Sequence, residues 1–215
     1  MTGSPLNALI ICNGRPPSRW FLRRLAKESD WIVAADGGAN TARRHGIRPD
    51  VIIGDMDSMT TATRRHFVGT VVLHINRQDN TDLEKALDLL VLKGIRKAVI
   101  VGATGGRVDF TLANFSVLWN YTPRMSIVVV GEGWRAMPVP GRLTLRVRRG
   151  TTVSLIPFGS CGGITLTGFR YSLRNASMKV GKIGVSNVVV RNPCTVTVRR
   201  GHMLMLILDH ALAGA

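Results

Sequence analysis

Acidic side chains are scarce in this chain: 13 Asp and Glu stand against 29 Lys and Arg in 215 residues, a formal net charge of +16. Aromatic residues are only 6% of the total, too few for the stacking platform of a single-strand nucleic-acid binder. The basic residues come as doublets (Arg23-Arg24, Arg43-Arg44, Arg64-Arg65, Arg148-Arg149, Arg199-Arg200), with no long basic block. Nucleic acid is therefore not the expected partner, and the charge reads as a solvated surface that also draws anionic substrates. Cys12, Cys161 and Cys194 are far apart and lack metal-ligand spacing. They read as small buried residues of a reducing compartment, which makes the cytoplasm the expected location. No apolar stretch approaches the roughly 20 residues that a membrane span needs. The 6–12 run has no positive segment before it, which argues against a signal peptide.

Familiar catalytic signatures are missing too. His45, His66, His74, His202 and His210 share no spacing, and no Ser/His/Asp or Cys/His arrangement stands out. The loop Gly102-Ala103-Thr104-Gly105-Gly106 matches neither the dinucleotide fingerprint nor the Gly-Lys-Ser/Thr phosphate loop. A familiar dehydrogenase or P-loop kinase is thereby disfavoured.

The 45% apolar content describes a globular protein. Continuous apolar runs at 6–12, 31–35, 51–53, 70–75, 98–101 and 126–130 alternate with helical patterns near 18–28, 39–45, 60–67, 81–93 and 109–120. Runs of this kind are expected of parallel strands covered on both faces. The helix at 81–93 is the clearest, with a Thr81/Glu84 capping box, an apolar stripe and Gly94 at its end. After Gly131 the period falls to two, at 142–148, 151–156, 164–167, 187–191, 195–199 and 203–208, with glycine turns between. The fold class expected is an α/β parallel-sheet domain (1–131) followed by an all-β sandwich domain (142–215), with 132–141 as linker.

The few acids gather where a parallel sheet binds ligands, beyond the carboxyl ends of its strands. Asp36-Gly37-Gly38, Gly54-Asp55-Met56-Asp57 and Asp79-Asn80-Thr81-Asp82 each follow an apolar run. Asp55 and Asp57 point to one side if the extended chain continues past Gly54, and such a pair repels itself unless a cation lies between. The competing reading is a turn in which one Asp caps the helix near Thr60. Each other acid also has a plain alternative: Asp82 as a first-turn acid, Asp36 as a turn former, Asp109 as a helix cap. Their common placement favours a hard-cation site, for which oxygen ligands suit Mg²⁺. The glycine loop suits close backbone approach to phosphates.

In order, the segments Asp36-Gly37-Gly38-Ala39-Asn40, Pro49-Asp50-Val51-Ile52-Ile53-Gly54-Asp55-Met56-Asp57-Ser58, Gln78-Asp79-Asn80-Thr81-Asp82-Leu83-Glu84-Lys85-Ala86-Leu87, Gly105-Gly106-Arg107-Val108-Asp109, Gly162-Gly163-Ile164-Thr165-Leu166-Thr167-Gly168-Phe169-Arg170-Tyr171-Ser172-Leu173 and Gly184-Val185-Ser186-Asn187 resemble the thiamine pyrophosphokinase family. The resemblance covers nearly the whole chain. It implies an α/β nucleotide-binding domain, a β-sandwich and a homodimer whose active site is shared between subunits. The reaction it implies moves an intact diphosphate from ATP to the hydroxyl of thiamine and releases AMP. By position it implies Asp55, Asp57 and Asp82 as Mg²⁺ ligands and, with Arg107, as catalytic residues. It likewise implies Asp36, Asn40, Thr81, Gly105, Arg107 and Asp109 around the nucleotide, and Tyr171, Ser186 and Asn187 around thiamine. Three positions depart from the family: Tyr171 where animal members have Trp, Phe110 where many have a polar residue, often His, and Met56 in place of Phe. A Mg²⁺-dependent phosphohydrolase uses the same acids without the thiamine pocket, and a basic nucleic-acid binder explains the charge without catalysis.

Overall fold

The computed structural model describes residues 6–76, 79–182 and 184–208; Gln78 and His210, named above, lie outside them. The chain divides into two compact units, Met1–Gly131 and Glu132–Ala215.

The first unit alternates β1 (Asn7–Ile11), α1 (Arg19–Lys27), β2 (Trp31–Ala35), α2 (Gly38–His45), β3 (Val51–Gly54), α3 (Thr61–His66), β4 (Val71–His74), α4 (Asp82–Leu92), β5 (Lys97–Val101), α5 (Val108–Ser116) and β6 (Ser126–Gly131). A 3₁₀ turn at Val117–Asn120 follows α5, so the helical pattern at 109–120 splits in two. All six strands are parallel, in the order β6-β5-β1-β2-β3-β4. Strands β1 and β3 are buried nearly throughout, whereas the edge strand β4 is largely exposed. The strand order reverses beside β1: the chain runs from β1 outwards to β4, then returns to place β5 on the other flank. There the loops after β1 and β5 join, Gly14 N–H donating to Gly102 O at 2.7 Å and Arg15 N–H to Thr104 O at 2.7 Å. Helix α4 has the expected capping box, Thr81 and Glu84 each satisfying the other's backbone N–H.

The second unit consists of β7 (Trp134–Pro138), β8 (Arg142–Leu145), β9 (Thr152–Pro157), β10 (Cys161–Thr167), β11 (Leu173–Met178), β12 (Gly184–Val188), β13 (Cys194–Thr197) and β14 (Met203–Leu208). One antiparallel sheet runs β12-β9-β14-β7 and the other β11-β10-β13-β8. Their inward residues, among them Val153, Leu155, Ile164, Val196, Met203 and Met205, share one core, as in a sandwich.

Two expectations need correction. The segment 132–141 is not a linker, because Trp134–Pro138 pairs with β14 from Trp134↔Leu208 to Pro138↔Leu204. Pro138 ends that strand, where its missing N–H costs the ladder little. Strand β11 was not foreseen. It is mostly exposed, and Asn175 bends it at φ +50°, so no clean alternation marks it.

Candidate active site of the first unit

A cavity of about 510 Å³ opens at the carboxyl ends of the parallel strands, at the switch point beside β1. Its walls include Asp36, Asp55, Asp57 and Asp82, the loop residues Gly102, Ala103, Thr104 and Gly106, and Arg107 with Phe110.

Asp55 and Asp57 do converge, but not along an extended strand. Gly54 has φ +151° and Met56 φ +66°, so the chain turns, and Asp57 N–H donates to Asp55 Oδ1 at 3.2 Å. A methionine in the left-handed region costs about 1–2 kcal/mol, held here by burial of its side chain at 7% exposure. Neither Asp caps α3; Thr60 does, accepting from Thr63 N–H. Asn40, expected beside the nucleotide, ties this loop down. Its Nδ2 donates to Ser58 O at 2.8 Å and its Oδ1 accepts from Thr60 N–H at 3.1 Å.

Among the described residues, Asp36, Asp55 and Asp57 bring carboxylate oxygens within 4.8 Å of one another. Asp36 is 3% exposed. Its Oδ2 accepts from Ser58 N–H at 3.3 Å, while its Oδ1 is buried with no hydrogen-bond partner. Burial pushes its carboxyl above the usual range, with the charges of Asp82 and Asp57 adding to the rise. An orphaned buried carboxylate oxygen facing two further acids is a donor set that fits a hard divalent cation. Asp82, expected as the third ligand, lines the same cavity, but its Oδ1 is held by Lys85 Nζ at 2.9 Å. Lys85 is 4% exposed and supplies a buried positive charge among these acids. Spacing alone carried its signal, as the i+3 neighbour of Asp82.

Glycines set how closely these loops approach. A Cβ on Gly38 would lie 1.9 Å from Ile11 O, so α2 begins directly against the end of β1. Gly105, at φ +78°, turns the loop but does not itself line the cavity. Arg107 is the N-cap of α5 and makes no side-chain capping bond. Its guanidinium forks onto Asp109, at 3.2 Å and 2.5 Å, and lies 4.6 Å from the centre of the Phe110 ring. The pair holds the Asp109 carboxyl below its ordinary range and raises the guanidinium further. Asp109 therefore serves the arginine and not the cap. Thr81 uses its hydroxyl on Glu84, donating to Oε2 at 3.2 Å, although it stays on the cavity wall. Sequence reasoning missed Asn13, Asn114 and Cys12 on that wall. Asn13 had a signal in its place just past β1. Asn114 had none; its buried Nδ2 holds Ala103 O at 2.8 Å. Burial, with Asp82 adding to it, pushes the Cys12 thiol up to about 12.

Within the second unit, Tyr171, Ser186 and Asn187 come together. Asn187 is 8% exposed. Its Oδ1 accepts from Tyr171 N–H at 3.0 Å and its Nδ2 donates to Tyr171 O at 2.8 Å. The amide thus fixes the backbone of a tyrosine that is 65% exposed. Ser186 is held in the left-handed region, φ +59°, with its N–H on Ser154 Oγ at 3.0 Å.

Clustered carboxylates, a glycine-containing loop at a switch point and a forked arginine define an α/β phosphate-handling enzyme domain, here followed by a β-sandwich. Residues 22–129 match the family described as thiamin pyrophosphokinase, catalytic domain, and residues 142–203 its vitamin B1 binding domain. The chain belongs to the thiamine pyrophosphokinase family. It is 31% identical over 184 residues to thiamine pyrophosphokinase of Bacillus subtilis, covering 82% of this chain and 86% of the relative. A rice thiamine pyrophosphokinase is 30% identical over 222 residues, covering 89% of this chain and 82% of the relative. The crystal structure of thiamin pyrophosphokinase from Geobacillus thermodenitrificans superposes with a TM-score of 0.83 at 28% identity, over 95% of this chain and 98% of that one. The yeast enzyme shares the fold, with a TM-score of 0.86 at 16% identity, over 98% of this chain and 89% of that one.

Proposed function

We infer that this chain is an ATP-dependent diphosphotransferase that makes thiamine diphosphate and AMP from thiamine and ATP. The observation that carries the reading is the pairing of both family halves in one chain, the first containing three convergent carboxylates beside a phosphate-approach loop. In the reaction the thiamine hydroxyl oxygen bonds to the β-phosphorus, the bond from that phosphorus to the AMP oxygen breaks, and the hydroxyl proton leaves to solvent or to a cavity carboxylate. Positioning and charge stabilisation do most of the work in such transfers. Asp55 and Asp57, with Asp36 or Asp82, would hold Mg²⁺, which supplies charge neutralisation at the phosphate oxygens. Arg107 presents its guanidinium to the diphosphate, and the N–H groups of the 102–106 loop approach it closely. Asp36, Asn40, Thr81, Gly105 and Asp109 shape the nucleotide subsite, Asn40 and Asp109 through the loop and the arginine that they hold. Tyr171 offers a ring face to the thiazolium cation, Asn187 positions that tyrosine, and Ser186 takes the pyrimidine.

Incubation with ATP, Mg²⁺ and thiamine should yield AMP and thiamine diphosphate in equal amounts. ADP, or phosphate released without thiamine, overturns the reading. The division of phosphate and thiamine residues between the two halves supports a homodimer with shared sites. Inactive Asp57→Asn and Asn187→Ala chains should then regain activity when mixed and allowed to exchange subunits. Proven exchange without recovery would refute that sharing. The three buried, unpaired cysteines support a cytoplasmic location. Among the described residues, no helix is long and apolar enough to cross a membrane.

A further inference from the structure

The first unit has a second hollow, of about 590 Å³, lined chiefly by Trp20, Arg23, Arg24, Lys27, Ile47 and Arg48. It also reaches Ile32, near the start of β2, whereas the acidic cavity takes in Ala35 at the strand's end. The two therefore lie at opposite ends of the parallel sheet.

Helix α1 builds the hollow by burying Phe21, Leu22 and Leu25 and turning Trp20, Arg23 and Lys27 outwards. Two of the arginines are fixed by neutral groups: Arg23 Nε donates to His45 O at 2.9 Å, and Arg48 Nη2 to Val68 O at 3.3 Å. Among the described residues, neither has a carboxylate partner. Gly46, at φ +67°, leaves room for the Arg23 guanidinium, since a Cβ there would sit 2.9 Å from Arg23 Nη2. The Arg24 guanidinium lies 4.9 Å from the centre of the Trp20 ring, yet Trp20 remains 55% exposed. Two carboxylates neighbour the lining residues. Glu28 Oε1 is 4.0 Å from Arg24 Nε, and Asp50 Oδ2 accepts from Ile32 N–H at 2.8 Å.

An exposed indole beside preset guanidinium groups, over an apolar floor of Ile32, Ala26 and Ile47, matches a planar ring that carries a phosphate. The ring lies against the indole, and the phosphate takes the arginine forks. We propose that this hollow is a nucleotide-binding site separate from the acidic cavity, occupied by a free nucleotide or by one unit of a single strand.

The test is titration of the full chain with AMP, adenosine, inorganic phosphate and a short oligoadenylate, in the presence of EDTA. Wild type should show two AMP sites per chain. Arg23→Gln with Arg48→Gln should weaken one of them about tenfold or more, as loss of charge-assisted contacts does. Trp20→Ala, at an exposed position that the fold does not need, should weaken AMP while leaving phosphate unchanged. Turnover of ATP and thiamine at saturation should be unaltered in all of these variants; the count of two sites rests on the acidic cavity taking nucleotide as proposed above, while dependence on Trp20 and the arginines tests the hollow alone. Oligoadenylate binding tighter than AMP, with the same dependence on Trp20 and the arginines, assigns the site to a strand end; AMP alone assigns it to free nucleotide. A single AMP site indifferent to these substitutions overturns the proposal. So does phosphate binding as tight as AMP, or a change of oligomeric state in the Trp20→Ala chain, which would make the hollow an interface between copies.

Discussion

Of the 13 acids in the chain, only Glu132 and Asp209 belong to the second unit, which nevertheless carries 12 of the 29 Lys and Arg. The first unit holds the rest, and it buries Asp36 with an unpartnered oxygen while drawing Asp55 and Asp57 towards it. Like charges are expensive to gather, and more so in a buried position. The contrast teaches that acid in this protein is gathered at the strand ends around one cavity, and that the rest of the surface is left positive. In the sandwich half the polar groups that matter are neutral, such as the Asn187 amide and the Ser154 hydroxyl, and they shape backbone.

The sharpest way to break this comparison is to remove a charge on each side of it. Asp55→Asn or Asp57→Asn should lower kcat by about two to three orders of magnitude, the loss typical of a missing electrostatic stabiliser. AMP release measured at saturating substrates checks this, and near-normal rates would return both residues to a turn-forming role. Tyr171→Ala, in the acid-poor half, should raise the KM for thiamine about 2- to 30-fold, as expected for the roughly 0.5–2 kcal/mol of a cation–π contact. The KM for ATP should hold steady. An equal rise in both constants would mean that Tyr171 supports the fold.

Asp36→Asn sharpens the comparison without any catalysis. Burial raises the folded carboxyl above its unfolded value. The stability this group contributes is therefore present at low pH and lost as pH rises through the raised value. In EDTA the asparagine variant should match wild type in acid and exceed it near neutrality. A gain of roughly 2–4 °C is expected, the shift that 1 kcal/mol makes in a chain of this size. Thermal melts from pH 4 to 8 test it. A variant less stable than wild type at neutral pH would show that the carboxylate is satisfied as it stands. The smallest effect concerns Cys12, whose thiol is pushed up to about 12. Iodoacetamide at pH 8 should leave it unlabelled in the folded protein, as judged by mass spectrometry, because the thiolate is the reactive form.

The parallel half was legible in the sequence because strands buried on both faces read as unbroken apolar runs. Strand β2 occupies the 31–35 run end to end, and α4 falls where its capping box placed it. The sandwich was harder to read. Strand β7 reads Trp134-Arg135-Ala136-Met137-Pro138, without clean apolar alternation, and Pro138 at its end with Pro140 beyond it mimics a linker. In the site, the acids were visible as strand-end residues and Asp55 with Asp57 as a pair, yet Asp36 as their third member was not. That Asp36 joins Asp55 and Asp57 depends on left-handed turns at Asp36 itself, φ +42°, and at Met56, which no spacing rule reports. That Asn40 serves the acidic loop depends on two hydrogen bonds across separate connections. The place of the 102–106 loop was readable from its strand–loop–helix order, but which of its residues face the cavity was not.

The switch point beside β1 also fixes when the site can come into being. One wall is the loop that leaves the first strand, and the other leaves the fifth, joined by the Gly14–Gly102 and Arg15–Thr104 backbone bonds. Asp36, Asp55 and Asp57, which follow β2 and β3, precede β5 in the chain, so the wall that β5 brings is synthesised after them. Closing so long a loop is the slow entropic step in assembling such a sheet. The cavity is therefore complete only once β5 has paired with β1, and a fragment ending before Val101 would hold Asp36, Asp55, Asp57 and Asp82 without the wall that the 102–106 loop supplies.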